Sequence, residues 1–267
     1  MTLVHDVLFV AWRSERTSTI HPVGRLLRCE RHPGPFWEYA YVQGVREAEA
    51  DGFAPSPEFS RIDSVYGSLN LFPLFQNRTM PASRPDYADH VGRVGLPVHA
   101  SEPLLILSRT GGRRPTDKIE VFGLPAFDPR LDAFVYRFFL RGVRHIGGAE
   151  QRIERLRPDE ELIVRPDPLN ASDALAVAID NRESQALGYV PRCLLDDLHA
   201  LRKGGSQLHA FVDRRNPPPA PVHERLLCRL AATAIPDFVP FASASYQPVS
   251  LEATQLTITR QELVTSD

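Results

Sequence analysis

The chain has 267 residues, 43% of them apolar and 24% charged, with a formal net charge of -2 at pH 7. That is enough chain for one large or two modest domains with their own cores, in an ordinary globular composition. The near-zero total excludes a uniformly basic nucleic-acid coat, though not a local basic site. The first strand-like run covers residues 7–12. No basic leader or small-residue cleavage site accompanies it, so MTLVHDVLFVAW is expected to be structure, not a signal peptide. Residues 23–27 and 37–42 read as two more strands, the second after the breaker His32-Pro33-Gly34-Pro35. Apolar spacing over residues 64–79 suits helical packing interrupted at Pro73. Ser83-Arg84-Pro85-Asp86 reads as a helix start, with the end near Gly95. Residues 103–107 and 118–123 read as strands around the turn-rich TGGRRPTD. No internal repeat appears.

From Ala133 the texture changes. The runs FVYRFFLRGVRHI, EELIVRP, DALAVAID and ALGYVP are short and strand-like, and a helix-like run over residues 194–203 follows, closed by Gly204-Gly205. LHAFVD gives a last strand, and the set predicts a small β-barrel or sheet-rich domain. Asn216-Pro217-Pro218-Pro219-Ala220-Pro221 reads as a stiff linker and HERLLCRLAATA as a helix. The Ser-, Thr- and Pro-rich tail from Ile235 reads as a packed arm with a frayed end. The predicted architecture is therefore α+β. An N-terminal α+β domain occupies residues 1–130, a barrel occupies 135–215, and linker, helix and arm occupy 216–267.

The screens for catalysis are empty. There is no GxSxG elbow, no GxxxxGK[ST] loop and no HExxH helix. Arg109-Thr110-Gly111-Gly112-Arg113-Arg114 has amides and guanidinium groups suited to a phosphate, but reads more simply as a tight Gly-Gly hairpin with solvated arginines. His209, Asp213 and His223 are close in sequence without metal or triad spacing, and Asp196-Asp197 and Glu160-Glu161 are adjacent, not facing. Cys29, Cys193 and Cys228 are odd in number and far apart, so reduced thiols are expected, with no metal and no cofactor. No apolar run approaches the roughly 18–20 residues of a membrane span. A soluble, cytoplasmic, non-enzymatic chain is the expectation.

Charge is partitioned. Residues 135–235 carry 15 basic and 13 acidic side chains, against 15 and 16 before them and one and four after. Of the 31 basic residues only Lys118 and Lys203 are lysines, which fits codon usage and also bidentate phosphate contacts. Within the basic block stand Gly142-Val143-Arg144-His145, then Arg165-Pro166-Asp167-Pro168-Leu169-Asn170-Ala171-Ser172-Asp173, then Gly188-Tyr189-Val190-Pro191-Arg192. Asp167, Asn170 and Asp173 suit a turn bonded to its own amides, and Gly188 suits a close approach of two backbones.

These three motifs, in this order, resemble the HIRAN domain, a module found alone in bacteria and fused to motor proteins in eukaryotes. The resemblance covers residues 135–215 and implies an OB-like or SH3-like barrel that captures the 3′ end of single-stranded DNA. It implies a phosphate contact for Arg144, base stacking for His145 and acceptance of the terminal 3′-hydroxyl by Asp173. It further implies a pocket-lining turn at Asn170 and polar or stacking contacts from Tyr189, with Arg165 and Arg192 on phosphates. Ser172 stands where end-binding members carry a tyrosine, which removes a stacking platform worth roughly 1–3 kcal/mol per base. The N-terminal VGRL, FWEYAYV, LFPLFQNRTM and VGL resemble the N-terminal subdomain of HipA-type kinases, without any kinase motif.

Two functional expectations follow from the resemblances. The first is a non-catalytic protein that holds single-stranded or broken DNA in bacterial repair or defence, beside a helicase, nuclease or ATPase partner. The second is a protein-interaction adaptor in a kinase-like or defence complex, with the barrel as scaffold.

Overall fold

Apolar-rich runs at the start of the chain form two long paired strands, β1 (Leu3–Arg13) and β2 (Ile20–Arg31). They appear in a computed structural model that describes residues 3–31, 34–97, 102–114, 116–256, 258, 260 and 263–264. His32, Pro33, Pro115 and the last residues of the tail, each named in the sequence expectations, lie outside the described residues.

The chain divides into two compact units, neither of them continuous in sequence. The first is built from residues 1–84, 102–124 and 241–258. Its sheet adds β3 (Gly34–Tyr41), β4 (Val65–Ser68) and β5 (Ile119–Gly123), in the order β4-β3-β2-β1-β5. Three short helices belong to it: α1 (Val45–Ala50), α2 (Pro73–Gln76) and, later in the chain, α4 (Pro103–Thr110). Period-two alternation sends Leu8, Val10, Leu26, Tyr39, Tyr41 and Val121 into one core with Val45, Phe75 and Leu107 of these helices.

The second unit comprises residues 85–101, 125–240 and 259–267. It contains α3 (Tyr87–Arg93), β6 (Ala126–Asp128), β7 (Ala133–Phe139), α5 (Ala149–Arg155), β8 (Glu161–Pro166) and β9 (Val177–Asp180). β10 (Ala186–Tyr189), α6 (Leu195–Lys203), β11 (Leu208–Arg215) and β12 (Leu226–Thr233) complete it. Its seven strands run β10-β9-β8-β11-β12-β7-β6, every pairing antiparallel.

This sheet is not the closed barrel that was expected. Among the described residues no ladder joins its two ends. Arg141, just past β7, meets Tyr189 of β10 at a single bridge, with Arg141 N to Tyr189 O at 2.8 Å and Tyr189 N to Arg141 O at 2.9 Å. Gly188 permits that approach, because a Cβ there would stand 2.8 Å from the Arg141 carbonyl oxygen.

Other departures have local causes. The run read as a C-terminal helix is β12, a central strand between β11 and β7 with nearly every side chain buried, so its apolar run is continuous and mimics helical spacing. The expected boundary at residue 215 thus falls between two neighbouring strands. The segment read as a linker is a folded corner. Asn216 N donates to Arg225 O at 2.9 Å, and its Nδ2 donates to Arg93 O at 2.9 Å and Glu224 O at 2.7 Å. Residues 103–107, read as a strand, lie in α4, where Pro103 occupies the first turn and Leu104 and Leu107 face inward. The Gly111-Gly112 turn is the end of that helix, with Gly111 at φ 79° and its N–H on Leu107 O. Gly112 N is held by Thr110 Oγ1, so these amides serve the helix end and not a phosphate. Residues 64–79 hold β4 and α2 in place of one broken helix.

Candidate functional site

Gly142 adopts φ 73° and stops β7. Residues Val143–His145 then form one 3₁₀ turn with Val143 buried and Arg144 and His145 exposed, so Arg144 lies beyond the strand on which it was expected. Arg144 Nε donates to His145 Nε2 at 3.0 Å, which assigns the imidazole as an acceptor at that nitrogen. Among the described residues no carboxylate pairs with Arg144.

The loop between β8 and β9 is organised by its own polar side chains. Asp167 N bonds Ala176 O at 2.8 Å and closes it. Asn170 Oδ1 accepts from Ser172 N at 3.0 Å and Asp173 N at 3.2 Å, and Asp173 Oδ1 accepts from Leu175 N at 2.9 Å. Two successive Asx turns therefore fix the loop, as DPLNASD led one to expect of Asn170 and Asp173. Asp167 acts differently. Its Oδ2 accepts from Tyr189 Oη at 3.1 Å and from Asn170 Nδ2 at 3.4 Å, tying loop to β10.

Two arginines complete the network. Arg192 places Nε 3.0 Å from Asp173 Oδ2 and donates from its terminal nitrogen to Asp196 Oδ1 at 2.9 Å. Arg165 donates to Asp180 at 2.7 and 3.4 Å and stands 3.8 Å from Asp167 Oδ1. Asp180 is only 1% exposed, so this two-point pair satisfies a buried carboxylate. The hydrogen bond to Asp180 raises the Arg165 guanidinium above its ordinary range, and burial, then the bond to Asp167, raises the Tyr189 hydroxyl.

The structure thus brings together Arg165, Asn170, Ser172, Asp173, Tyr189 and Arg192 through direct hydrogen bonds and ion pairs. Among the described residues Arg144 and His145 make no side-chain bond to these six; their turn is tied to Tyr189 through the main-chain bridge of Arg141. The network holds Asp167, Asp173, Asp180 and Asp196 against Arg165 and Arg192. Sequence reasoning missed Asp180 and the hub role of Asp167. A lone acid ending the apolar run AVAID was the available signal for Asp180. Elsewhere in this unit, His209 lies 3.8 Å from Glu161 and His223 lies 4.0 Å from Glu224, both at the surface. Among the described residues no group of three His, Cys, Asp or Glu is placed to hold a metal, and no helix is long and apolar enough to cross a membrane.

The HIRAN domain family model matches residues 133–231. No curated protein matches the chain. Among solved structures, one of a protein from Lactobacillus plantarum is similar over 38% of this chain and 92% of its own, at 18% identity and a TM-score of 0.32. The HIRAN domain of human HLTF is similar over 37% of this chain and 74% of its own, at 17% identity and a TM-score of 0.28.

Proposed function

We propose that the unit matched by the HIRAN family holds single-stranded DNA without catalysing a reaction on it, and that it takes the 3′ end of the strand. The observation that carries this reading is that the match encloses all eight candidate residues, six of which form one connected polar network. In this reading the strand end enters at the Asn170–Asp173 turn. Asp173 accepts the terminal hydroxyl once Arg192 turns from it toward phosphate, and Arg144 attracts the backbone, with no carboxylate paired to it among the described residues. His145 offers a ring for stacking where Ser172 offers none. Arg165 is assigned to structure, because its charge is engaged by a buried partner. Catalysis on the bound strand belongs to a partner enzyme.

Fluorescence anisotropy with otherwise identical 3′-hydroxyl and 3′-phosphate oligonucleotides tests this. The hydroxyl end is expected to bind about ten-fold tighter, since a phosphate would meet an acidic excess. Contacts with two phosphates give a slope of about -1.4 in log K against log salt. Equal affinity for both ends sinks the end-capture reading, and absent binding sinks the DNA reading.

A further inference from the structure

We propose that Arg152 is the positioning residue of the candidate DNA site, tying the turn that carries Arg144 and His145 to β10, which carries Tyr189. The proposal rests on the DNA reading above and names what keeps the two parts of that site in place relative to each other. Arg152 lies on α5, shortly after the turn, and its guanidinium spans two segments of main chain. Nη2 donates to Gly147 O at 2.9 Å and to Ala186 O at 2.8 Å, and Nε donates to Ala186 O at 3.2 Å. Gly147 stands two residues past His145, and Ala186 opens β10. The backbone is prepared at both ends. Gly148 adopts φ 75°, and a Cβ there would stand 3.0 Å from Arg152 Nη1, so the glycine leaves the guanidinium its path. Ala186 lies at the register shift of β10 against β9, an irregularity that re-aims groups on a strand.

The sheet itself gives this junction little support. Among the described residues the Arg141–Tyr189 bridge is the one backbone pairing between the end of β7 and β10. A Cβ on Gly142 would stand 3.2 Å from the Tyr189 ring, so the turn begins directly beside that side chain. One bridge leaves the turn free to pivot; a bond from Gly147 to Ala186 through Arg152 adds a second point and fixes its orientation. Among the described residues no carboxylate pairs with Arg152, so its bonds to the two carbonyls are what hold it there. Gly147 is exposed and Ala186 and Arg152 are half-buried, so water can satisfy either carbonyl when the guanidinium is removed. The fold therefore needs this tie little. A strand that must touch Arg144 and Asp173 together needs it more, because orienting both contacts beforehand lowers the ordering cost of binding. A planar guanidinium reaches both carbonyls at set angles, which an ammonium on a flexible stem does not.

The test uses the full chain and a 5′-fluorescein single-stranded oligonucleotide with a free 3′-hydroxyl. Arg152→Ala is expected to weaken binding about five-fold, and Arg152→Lys, which keeps the charge, to stay within about two-fold of Arg152→Ala. In a chain already carrying Arg144→Ala and His145→Ala, the same Arg152→Ala change is expected to cost less than about two-fold, because nothing remains for it to position. Wild-type affinity in Arg152→Lys, or an undiminished loss in that background, makes Arg152 a direct phosphate contact and overturns the proposal. Hydrogen exchange without DNA gives a second reading. The Arg141 and Tyr189 amides are expected to exchange at least about ten-fold faster in Arg152→Ala, with the β11–β12 ladder unchanged. Unchanged protection at the bridge overturns the proposal whatever the DNA result. A wild type that binds no oligonucleotide overturns the DNA reading and the positioning role with it, and the exchange result tells that failure from one of the tie alone.

Discussion

Two stretches of the second unit carry the same residue type in opposite circumstances. In the turn of residues 142–145, Arg144 is exposed and, among the described residues, its guanidinium bonds a ring nitrogen of His145. In the network of residues 165–192, Arg165 closes on a buried carboxylate and Arg192 is shared between Asp173 and Asp196. The chemistry of the side chain is identical, and the partner decides its work. A guanidinium matched to a buried acid is part of the fold, while one without an acid keeps its attraction for a mobile anion.

The sharpest way to break this comparison is Arg165→Ala. Asp180 would stay buried without its counter-ion, at an expected cost of about 2–3 kcal/mol, below the usual range for a buried pair because Arg165 itself is partly hydrated. Urea unfolding measures that cost. A variant that keeps its stability and loses DNA instead would reverse the assignment. Arg144→Ala should do the opposite. Affinity for single-stranded DNA is expected to fall about ten-fold, roughly 1.4 kcal/mol, and the salt slope to become shallower by about 0.7, with the melting temperature unmoved. Arg192 stands between the two cases. Asp173→Asn is expected to cost about 1 kcal/mol or less of stability and to narrow the preference for 3′-hydroxyl over 3′-phosphate several-fold. An undiminished preference would remove Asp173 from the strand end.

The smallest expected effect lies in a third setting of the same unit. His90 is half-buried, and burial lowers its pKa from 6.5, with Arg93 lowering it further and Glu224 and Asp86 opposing. The folded state thus binds the proton less readily than the unfolded chain. Its contribution to stability is complete above about pH 6.5 and is lost as pH falls through 6.5 toward the lowered folded value. His90→Gln should flatten that slope, to be read from unfolding midpoints between pH 5 and 7. An unchanged slope would place the responsible group elsewhere.

What the sequence reveals follows the range of the forces involved. Val7 to Trp12, Trp37 to Tyr41 and Leu208 to Asp213 all lie in strands, and along the last of them one side is buried more than the other, Ala210 and Val212 against His209 and Phe211. The helix ending near Gly95 is Tyr87–Arg93 with Gly95 at φ 71°, a local signal correctly placed. Leu226 to Thr233 has no such alternation, since a strand buried on both sides is uniform to the eye. The same ambiguity, in the other direction, hid α4. At the candidate site the Asx turns of Asn170 and Asp173 were legible because they close within three residues. The pairing of Arg165 with Asp180 was not, because it depends on β8 lying beside β9, a fact of register.

The two units also differ in when they can be finished. The first unit receives its last segment only after most of the second has been laid down in the chain, and Glu38 meets Thr254 at a sequence separation of 216. On a ribosome, the N-terminal sheet emerges long before Phe241 and Tyr246, which lie against its Phe9. Until then a patch of aromatic and ionic side chains faces solvent. Closure at such separation in sequence is slow compared with hairpin formation, so completion of the first unit should be the late event in folding.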